Sequence, residues 1–237
     1  MTSDIETDVT LVLVHGACHG PWCWEDVVGP LTECGWKVDA VELPLESLYG
    51  DAEVVSRAVR DAQALGGRVL LVGHSYGGAV VTEGGSGADA LVYLAGSMLD
   101  EGDSCASVFP RIDTPELADA VILSSDEKWI ELHPQNAVPA FYNRCRDDQV
   151  ARSLRRLRPF GIAAQHEKIT TAAWRTVPTS YIVCTDDRAM APAYQRELAA
   201  LVGDSVELDA DHSAFYSATD QVVDRLDELA RRVAGRT

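Results

Sequence analysis

The chain has 237 residues, of which 46% are hydrophobic and 24% are charged, so it can bury one sizeable core and we expect a single domain. Asp and Glu together number 37 against 20 Lys and Arg, which gives a net charge of −17. Such an acidic surface disfavours nucleic acid and anionic membranes as partners.

The start of the chain predicts neither a signal peptide nor a membrane helix. Residues 1–8 contain no basic region, and the apolar run at 9–14 is too short to cross a bilayer. Six cysteines in a chain without a secretory signal are most simply reduced thiols. We therefore expect a cytoplasmic protein.

The first predicted strand is TLVLV at 10–14, and it leads into the loop HGACHG at 15–20. Gly16 lets this loop bend so that the backbone amide of Ala17 can face a site at the end of the strand. The loop and its surroundings also hold two histidines and two cysteines, His15, Cys18, His19 and Cys23. Their spacing matches no standard zinc site, so we expect no metal.

The stretch VLLVGHSYGG at 69–78 carries the strongest signal in the chain. An apolar run ends at Gly73, and Ser75 follows in a G-x-S-x-G pattern, in which a strand turns sharply into a helix and exposes the serine hydroxyl. The glycine spacing fits neither a dinucleotide-binding turn nor a phosphate-binding loop. The pattern predicts Ser75 as a nucleophile on a strained backbone, with the amide of Tyr76 as an oxyanion donor. The glycine-rich residues 82–89 predict that the following helix is brief.

A long insertion follows the strand-like run LVYLA at 91–95. About 85 residues separate it from the next such run, far more than a helical crossover requires. Charged helical stretches predict a helical cap over the serine, at about 97–175. We expect Trp129 and Phe141 from the cap to bind substrate together with His19, although packing onto the core is the commoner role of such aromatic residues.

The run TSYIVC at 179–184 predicts a buried strand that ends in two carboxylates, Asp186 and Asp187. Sites in parallel sheets lie at the carboxyl ends of the strands, so either aspartate can orient a histidine base. Asp209 and Asp211 are weaker candidates. They lie too close in sequence to that histidine to reach its far ring nitrogen easily, and loop acids are commonly solvated.

His212 is the predicted base. In folds with a nucleophile elbow the chain order is serine, acid, histidine, and His212 follows a strand-like run at 206–208 near the end of the chain. His133 and His166 lie in polar settings typical of surface or helix-capping histidines. The last segment, 220–233, has apolar residues at helical spacing and predicts a helix that packs on the core.

These motifs together resemble the α/β-hydrolase fold superfamily, and within it the small esterase group of plant methyl-salicylate esterases, hydroxynitrile lyases and bacterial carboxylesterases. The matching motifs, in the order of the family, are VHGACHGPWCW at 14–24, GHSYGG at 73–78, LVYLA at 91–95, YIVCTDD at 181–187 and DHSAFYS at 211–217. The resemblance implies an α/β fold with a mostly parallel central sheet, helices on both faces and a helical cap. It also favours Asp187 over Asp186 as the triad acid and places the oxyanion donors on Ala17 and Tyr76.

Two positions differ from the hydroxynitrile lyases of this group, which have threonine where this chain has Gly16 and lysine where it has Ser213. We therefore expect a cofactor-free serine hydrolase that cleaves a small-molecule carboxylic ester, with Ser75, Asp187 and His212 as the triad. A hydroxynitrile lyase, a thioester or polyketide-type hydrolase, and a ligand-binding protein with little turnover are the alternatives. A homodimer is left open.

Overall fold

The computed structural model describes residues 9–112 and 114–235, and the expectation about targeting that was drawn from residues 1–8 lies outside them. The strands are β1 (Val9–Val14), β2 (Lys37–Val41), β3 (Arg68–His74), β4 (Ala90–Leu94), β5 (Val121–Leu123), β6 (Trp129–Leu132), β7 (Phe160–Gly161), β8 (Thr179–Cys184) and β9 (Asp204–Leu208). The helices are α1 (Glu25–Glu33), α2 (Leu48–Ala64), α3 (Tyr76–Gly84), α4 (Cys105–Ile112), α5 (Pro115–Ala120), α6 (Pro134–Phe141), α7 (Asp147–Leu154), α8 (Ile162–His166), α9 (Pro192–Ala199), α10 (Ala214–Ser217) and α11 (Thr219–Val233). Short 3₁₀ turns lie at Pro21–Trp24 and Ala173–Arg175.

The central sheet has six strands in the order β2-β1-β3-β4-β8-β9, and every neighbouring pair is parallel. The inner strands β1, β3, β4 and β8 are buried almost throughout, as expected for parallel strands covered on both faces. The edge strand β2 instead alternates between exposed and partly buried residues. The α/β prediction is confirmed, and it extends to a sheet that is parallel at every described pair.

Helices cover the sheet in two groups, with α1 against α11 and α2 against α3. The predicted terminal helix is present as Thr219–Val233 and buries Val222, Leu226 and Ala230. The helix after the serine is brief, as predicted, and ends at Gly84. Among the helices of the described residues, none has the length and apolar character needed to span a bilayer.

The segment between β4 and β8 contains five short helices, α4 to α8, and also a small antiparallel sheet in the order β5-β6-β7. The purely helical cap expected from the sequence was therefore incomplete. Residues 121–132, VILSSDEKWIEL, pair as a hairpin because short β-prone runs flank a polar turn. In that turn Ser124 Oγ donates to the Asp126 carboxylate at 2.7 Å and accepts from the Trp129 amide at 3.0 Å. The division into one domain with a cap at about 97–175 stays a prediction.

Close backbone packing holds the start of α3 against the end of β1. Gly77 is the contact point, since a Cβ atom there would lie 2.6 Å from the carbonyl oxygens of both Val14 and His15. Real Cβ atoms do not approach oxygen so closely, and a backbone cannot give way as a flexible side chain can. The glycine therefore sets how near the serine turn lies to the loop after β1.

Replacing Gly77 with alanine should destabilise the protein, because α3 must move away from β1 to make room for the methyl group. We expect Gly77→Ala to lower the free energy of unfolding by about 2 kcal/mol. Gly87→Ala is the control, since its added Cβ meets nothing nearer than 3.5 Å. The measurement is urea unfolding of both variants. Equal stability of the two would show that this packing is not tight.

Candidate active site

Ser75 lies at the turn between β3 and α3, at the carboxyl edge of the sheet. Its backbone has φ 54° and ψ −124°, a left-handed conformation that costs a non-glycine residue free energy and is held by its surroundings. The Ser75 carbonyl accepts from the amides of Gly78 and Ser97, each at 2.9 Å, and these bonds fix the turn. The strained elbow expected from the sequence is thus present, and Ser75 lines a cavity of about 370 Å³.

His212 and Asp187 come together at the same sheet edge. His212 Nδ1 donates to Asp187 Oδ2 at 2.7 Å, and both side chains are almost completely buried. This bond fixes the proton on Nδ1, so Nε2 is the ring nitrogen free to accept a proton. Ser75 and His212 line the same cavity. The structure therefore brings together the three side chains predicted as a triad.

The other aspartates near His212 make different contacts. Asp186 is partly exposed, accepts from Asn143 Nδ2 at 3.1 Å and pairs with Arg188 at 3.6 Å. Asp209 is exposed and pairs with Arg144. None of these contacts involves His212, and so the geometry favours Asp187 over Asp186.

Asp211 is fully buried, and the expectation that it is a solvated loop acid was wrong. One carboxylate oxygen accepts from the Ser213 amide at 3.0 Å and from Ser217 Oγ at 2.7 Å. The other accepts from the Arg144 amide at 2.8 Å. Asp211 therefore ties the His212 loop to the segment that follows α6.

Asp187 is held by four hydrogen-bond donors, three of which the sequence did not suggest. Oδ1 accepts from the amides of Ala189 and Met190 at 2.8 and 2.7 Å. Oδ2 accepts from His212 and from Gln195 Nε2, the latter at 2.8 Å. Gln195 is fully buried, and its own Oε1 accepts from the Cys184 amide at the end of β8. The carboxylate thus keeps its charge and its orientation without water.

The predicted oxyanion donors belong to residues that line the cavity with Ser75, namely Ala17 and Tyr76. A Cβ atom at Gly16 would lie 2.8 Å from Ser75 Cβ, so this position must be glycine for the loop to approach the serine. The phenol of Tyr76 donates to Asp51 Oδ2 at 2.7 Å, and burial raises the pKa of Asp51 to about 6. Asp51 also accepts from the Leu45 amide at 2.9 Å, so it anchors both segments.

The remaining histidines of the site are neutral. Burial lowers the pKa of His15 to about 3 and that of His19 to about 4, and it lowers the pKa of His74 well below the ordinary value. His74 Nε2 donates to the His212 carbonyl at 2.8 Å, which positions the base through its backbone.

The histidines and cysteines of the first loop show no arrangement for a metal. His15 donates from Nδ1 to the Gly16 carbonyl and accepts at Nε2 from the Leu43 amide. His19 donates from Nδ1 to the Ala17 carbonyl at 2.9 Å and accepts at Nε2 from the Tyr142 hydroxyl at 2.7 Å. Across residues 9–112 and 114–235, no three His, Cys, Asp or Glu side chains are grouped to bind a metal ion.

Two thiols, Cys18 and Cys105, also line the cavity. Burial raises the pKa of each to about 12, so neither forms an appreciable amount of thiolate near neutral pH. Ser75 is consequently the cavity residue best placed to act as a nucleophile.

The three predicted substrate-binding residues lie in different settings. Phe141 and His19 line the cavity, but Trp129 is not among its lining residues. Side chains alternate along a strand, and in β6 it is Ile130 and Leu132 that face the cavity, so Trp129 lies on the opposite face. His19 has both ring nitrogens engaged, and it stacks on Trp22 with ring centroids 5.2 Å apart.

The histidines set aside in the sequence also have clear places. His133 precedes α6 at its N-cap position. His166 is exposed at the end of α8, yet it contributes to the lining of the cavity.

Comparison with known proteins was made on this basis. A family model described as the alpha/beta hydrolase family matches residues 11–225. The chain is 25% identical to norfluorocurarine synthase 1 from Strychnos sp, over 94% of this chain and 95% of that protein. It is 28% identical to methylesterase 7 from Arabidopsis thaliana, over 94% of this chain and 96% of that protein. The solved structure of a pyrethroid hydrolase from Sphingobium faniae superposes with a TM-score of 0.81 at 19% identity, covering 94% of this chain and 97% of that one.

Gln195 offers a test of how the acid is held. Gln195→Met keeps the size of the side chain but removes the donor to Asp187, and we expect kcat to fall about tenfold with KM unchanged, since Gln195 does not line the cavity. Gln195→Glu adds a carboxylate beside Asp187. A second negative charge stabilises the protonated imidazole, so the acidic limb of the kcat/KM profile should move to higher pH.

The control for both variants is thermal unfolding. If Gln195 only packs the core, the midpoint of unfolding falls while the pH profile of the folded protein stays where it is in the wild type. That outcome would contradict a positioning role for Gln195.

Proposed function

The chain belongs to the alpha/beta hydrolase family, and on that premise we propose that it is a serine hydrolase that cleaves a carboxylic ester of a small or medium apolar compound. The observation that carries the proposal is the geometry at the sheet edge. Ser75 is exposed to an apolar cavity that His212 also lines, and His212 is oriented by Asp187 at 2.7 Å. The names of related proteins, a methylesterase and a pyrethroid hydrolase, support ester hydrolysis.

The reaction follows from the roles of these groups. Ser75 Oγ attacks the ester carbonyl carbon while His212 Nε2 takes the hydroxyl proton, and Asp187 stabilises the imidazolium that forms. The negative charge on the carbonyl oxygen is stabilised by the amides of Ala17 and Tyr76. His212 then returns the proton to the departing alcohol, which leaves an acyl group on Ser75. Water, activated by the same histidine, hydrolyses this acyl-enzyme and restores the serine.

The protonation of the site suits this mechanism. A general base must be neutral before it can accept a proton, and the surrounding His15, His19 and His74 add no positive charge because burial keeps their pKa values low. His74 also contacts His212 with ring centroids 4.7 Å apart. The imidazolium formed in the reaction is therefore stabilised mainly by Asp187.

Hydroxynitrile lyase activity fits less well. The structure leaves no space for a side chain at Gly16, whose Cβ would lie 2.8 Å from that of Ser75, so a hydroxyl from this position is excluded. Ser213 is completely buried and is not among the cavity-lining residues, and it carries no positive charge to receive cyanide. The norfluorocurarine synthase among the relatives keeps other reactions on this fold as alternatives, along with thioester hydrolysis and ligand binding with little turnover.

The location and assembly of the protein remain proposals. A cytoplasmic location is supported by the six cysteines, all of which are free thiols. We propose no nucleic-acid or membrane partner, because the net charge of −17 repels both. A homodimer remains one assembly to test by light scattering.

The proposal predicts hydrolysis of p-nitrophenyl esters with an optimum at short acyl chains, because a cavity of about 370 Å³ has limited volume. Ser75→Ala should lower kcat by on the order of a million-fold, to the background rate, while the fold is retained. Mandelonitrile should release no cyanide above background. Ester turnover by pure Ser75→Ala protein, or efficient cyanide release by the wild type, would contradict the proposal.

A further inference from the structure

The cavity beside Ser75 has no formal charge in its described lining other than what its histidines could carry. Asp, Glu, Lys and Arg are absent from these residues, and most of the remaining side chains are aliphatic or aromatic. A charged group of a ligand would therefore lose its hydration without gaining a partner, at a cost of several kcal/mol. The lining favours a neutral ligand.

Most polar side chains near Ser75 are already engaged. His19 uses both ring nitrogens within the protein, His74 donates to the His212 backbone, and His212 donates to Asp187. Only Nε2 of His212 remains for chemistry. These groups can take part in catalysis or hold the loops, but they offer little for recognising the rest of a substrate.

Gln165 is different, because its side-chain amide lines the cavity and makes no hydrogen bond to any of the described residues. It lies on the cap helix α8 with Ile162 and His166, which are three residues before it and one after it and which also line the cavity. Helical spacing puts these residues on one side of α8. The polar amide of Gln165 is therefore presented to a largely apolar space.

The position of Gln165 is fixed by hydrogen bonds at both ends of α8. At the start, the Ile162 amide donates to the Lys128 carbonyl at 2.9 Å. Just beyond the end, the carboxylate of Glu167 accepts from the Leu48 amide of α2 at 2.7 Å. The amide of Gln165 is thus held in place by the backbone while its hydrogen-bonding capacity stays free.

We propose that Gln165 is a specificity-determining residue that hydrogen-bonds an uncharged polar substituent on the substrate, at the cap side of the cavity. This inference rests on the proposed ester hydrolysis and narrows its substrate class to neutral, compact, apolar esters with one hydroxyl or carbonyl group besides the scissile ester. A glutamine amide offers both a donor and an acceptor, so a hydroxyl group can satisfy it in either direction. A few polar groups that orient a ligand in an apolar pocket are typical of small-molecule sites.

The test uses a matched set of substrates. These are methyl 3-phenylpropionate, its three ring-hydroxylated isomers and its para-carboxylate, with the acid product measured by chromatography. We expect the wild type to prefer at least one hydroxylated isomer over the unsubstituted ester by about tenfold in kcat/KM, the effect of one hydrogen bond. The para-carboxylate should be the poorest substrate.

Two variants then assign the preference to a residue. Gln165→Met keeps the size of the side chain but removes its hydrogen bonds, so the preference should fall to about one while the unsubstituted ester is hydrolysed at the wild-type rate. Gln135→Met is the control, because Gln135 is exposed on α6 and does not line the cavity. It should retain the full preference.

Three results would overturn the inference. The wild type could prefer no hydroxylated isomer, the preference could survive in Gln165→Met, or His166→Leu could abolish it while Gln165→Met does not. Rapid hydrolysis of the para-carboxylate would refute the neutral substrate class. Each of these leaves ester hydrolysis itself intact, whereas failure to hydrolyse any ester, p-nitrophenyl acetate included, would overturn the proposed function and this inference together.

Discussion

The buried hydrogen bond between His212 and Asp187 is the interaction on which the rest of the site depends. A carboxylate that is removed from water loses a large hydration energy, and here four donors at 2.7 to 2.8 Å replace it. These donors come from the loop after β8, from α9 and from the loop after β9. The parallel sheet brings these three segments to one edge, so the fold itself supplies the partners of the charge.

The second constraint is the close approach of backbone around Ser75. The serine keeps a φ of 54° because its neighbours leave it no alternative, and glycines at positions 16 and 77 let the first loop and β1 reach the elbow. The cap then covers this edge with apolar side chains. Its helix α8 adds the unpaired amide of Gln165, which links the general chemistry of the site to the choice of substrate.

The features predicted best from the sequence are those with a local signature. The apolar runs gave the inner strands of the sheet, and the G-x-S-x-G pattern gave the strained elbow at Ser75. Gln195 could not be predicted in the same way, because its contact with Asp187 exists only once α9 packs against the end of β8. The side on which Trp129 lies depends on how the cap hairpin is oriented, and the burial of Asp211 depends on a backbone amide 67 residues away.

The most direct test of this account is the comparison of Asp187→Asn with Asp186→Asn in kcat/KM for a short p-nitrophenyl ester. An amide at 187 favours the wrong tautomer of His212 and removes the charge that stabilises the imidazolium, so the rate should fall by three to four orders of magnitude. Asp186→Asn should stay within about tenfold of the wild type, since Asp186 is partly exposed and contacts Asn143 and Arg188. The reverse order of effects would contradict the assignment of Asp187 as the acid that orients His212.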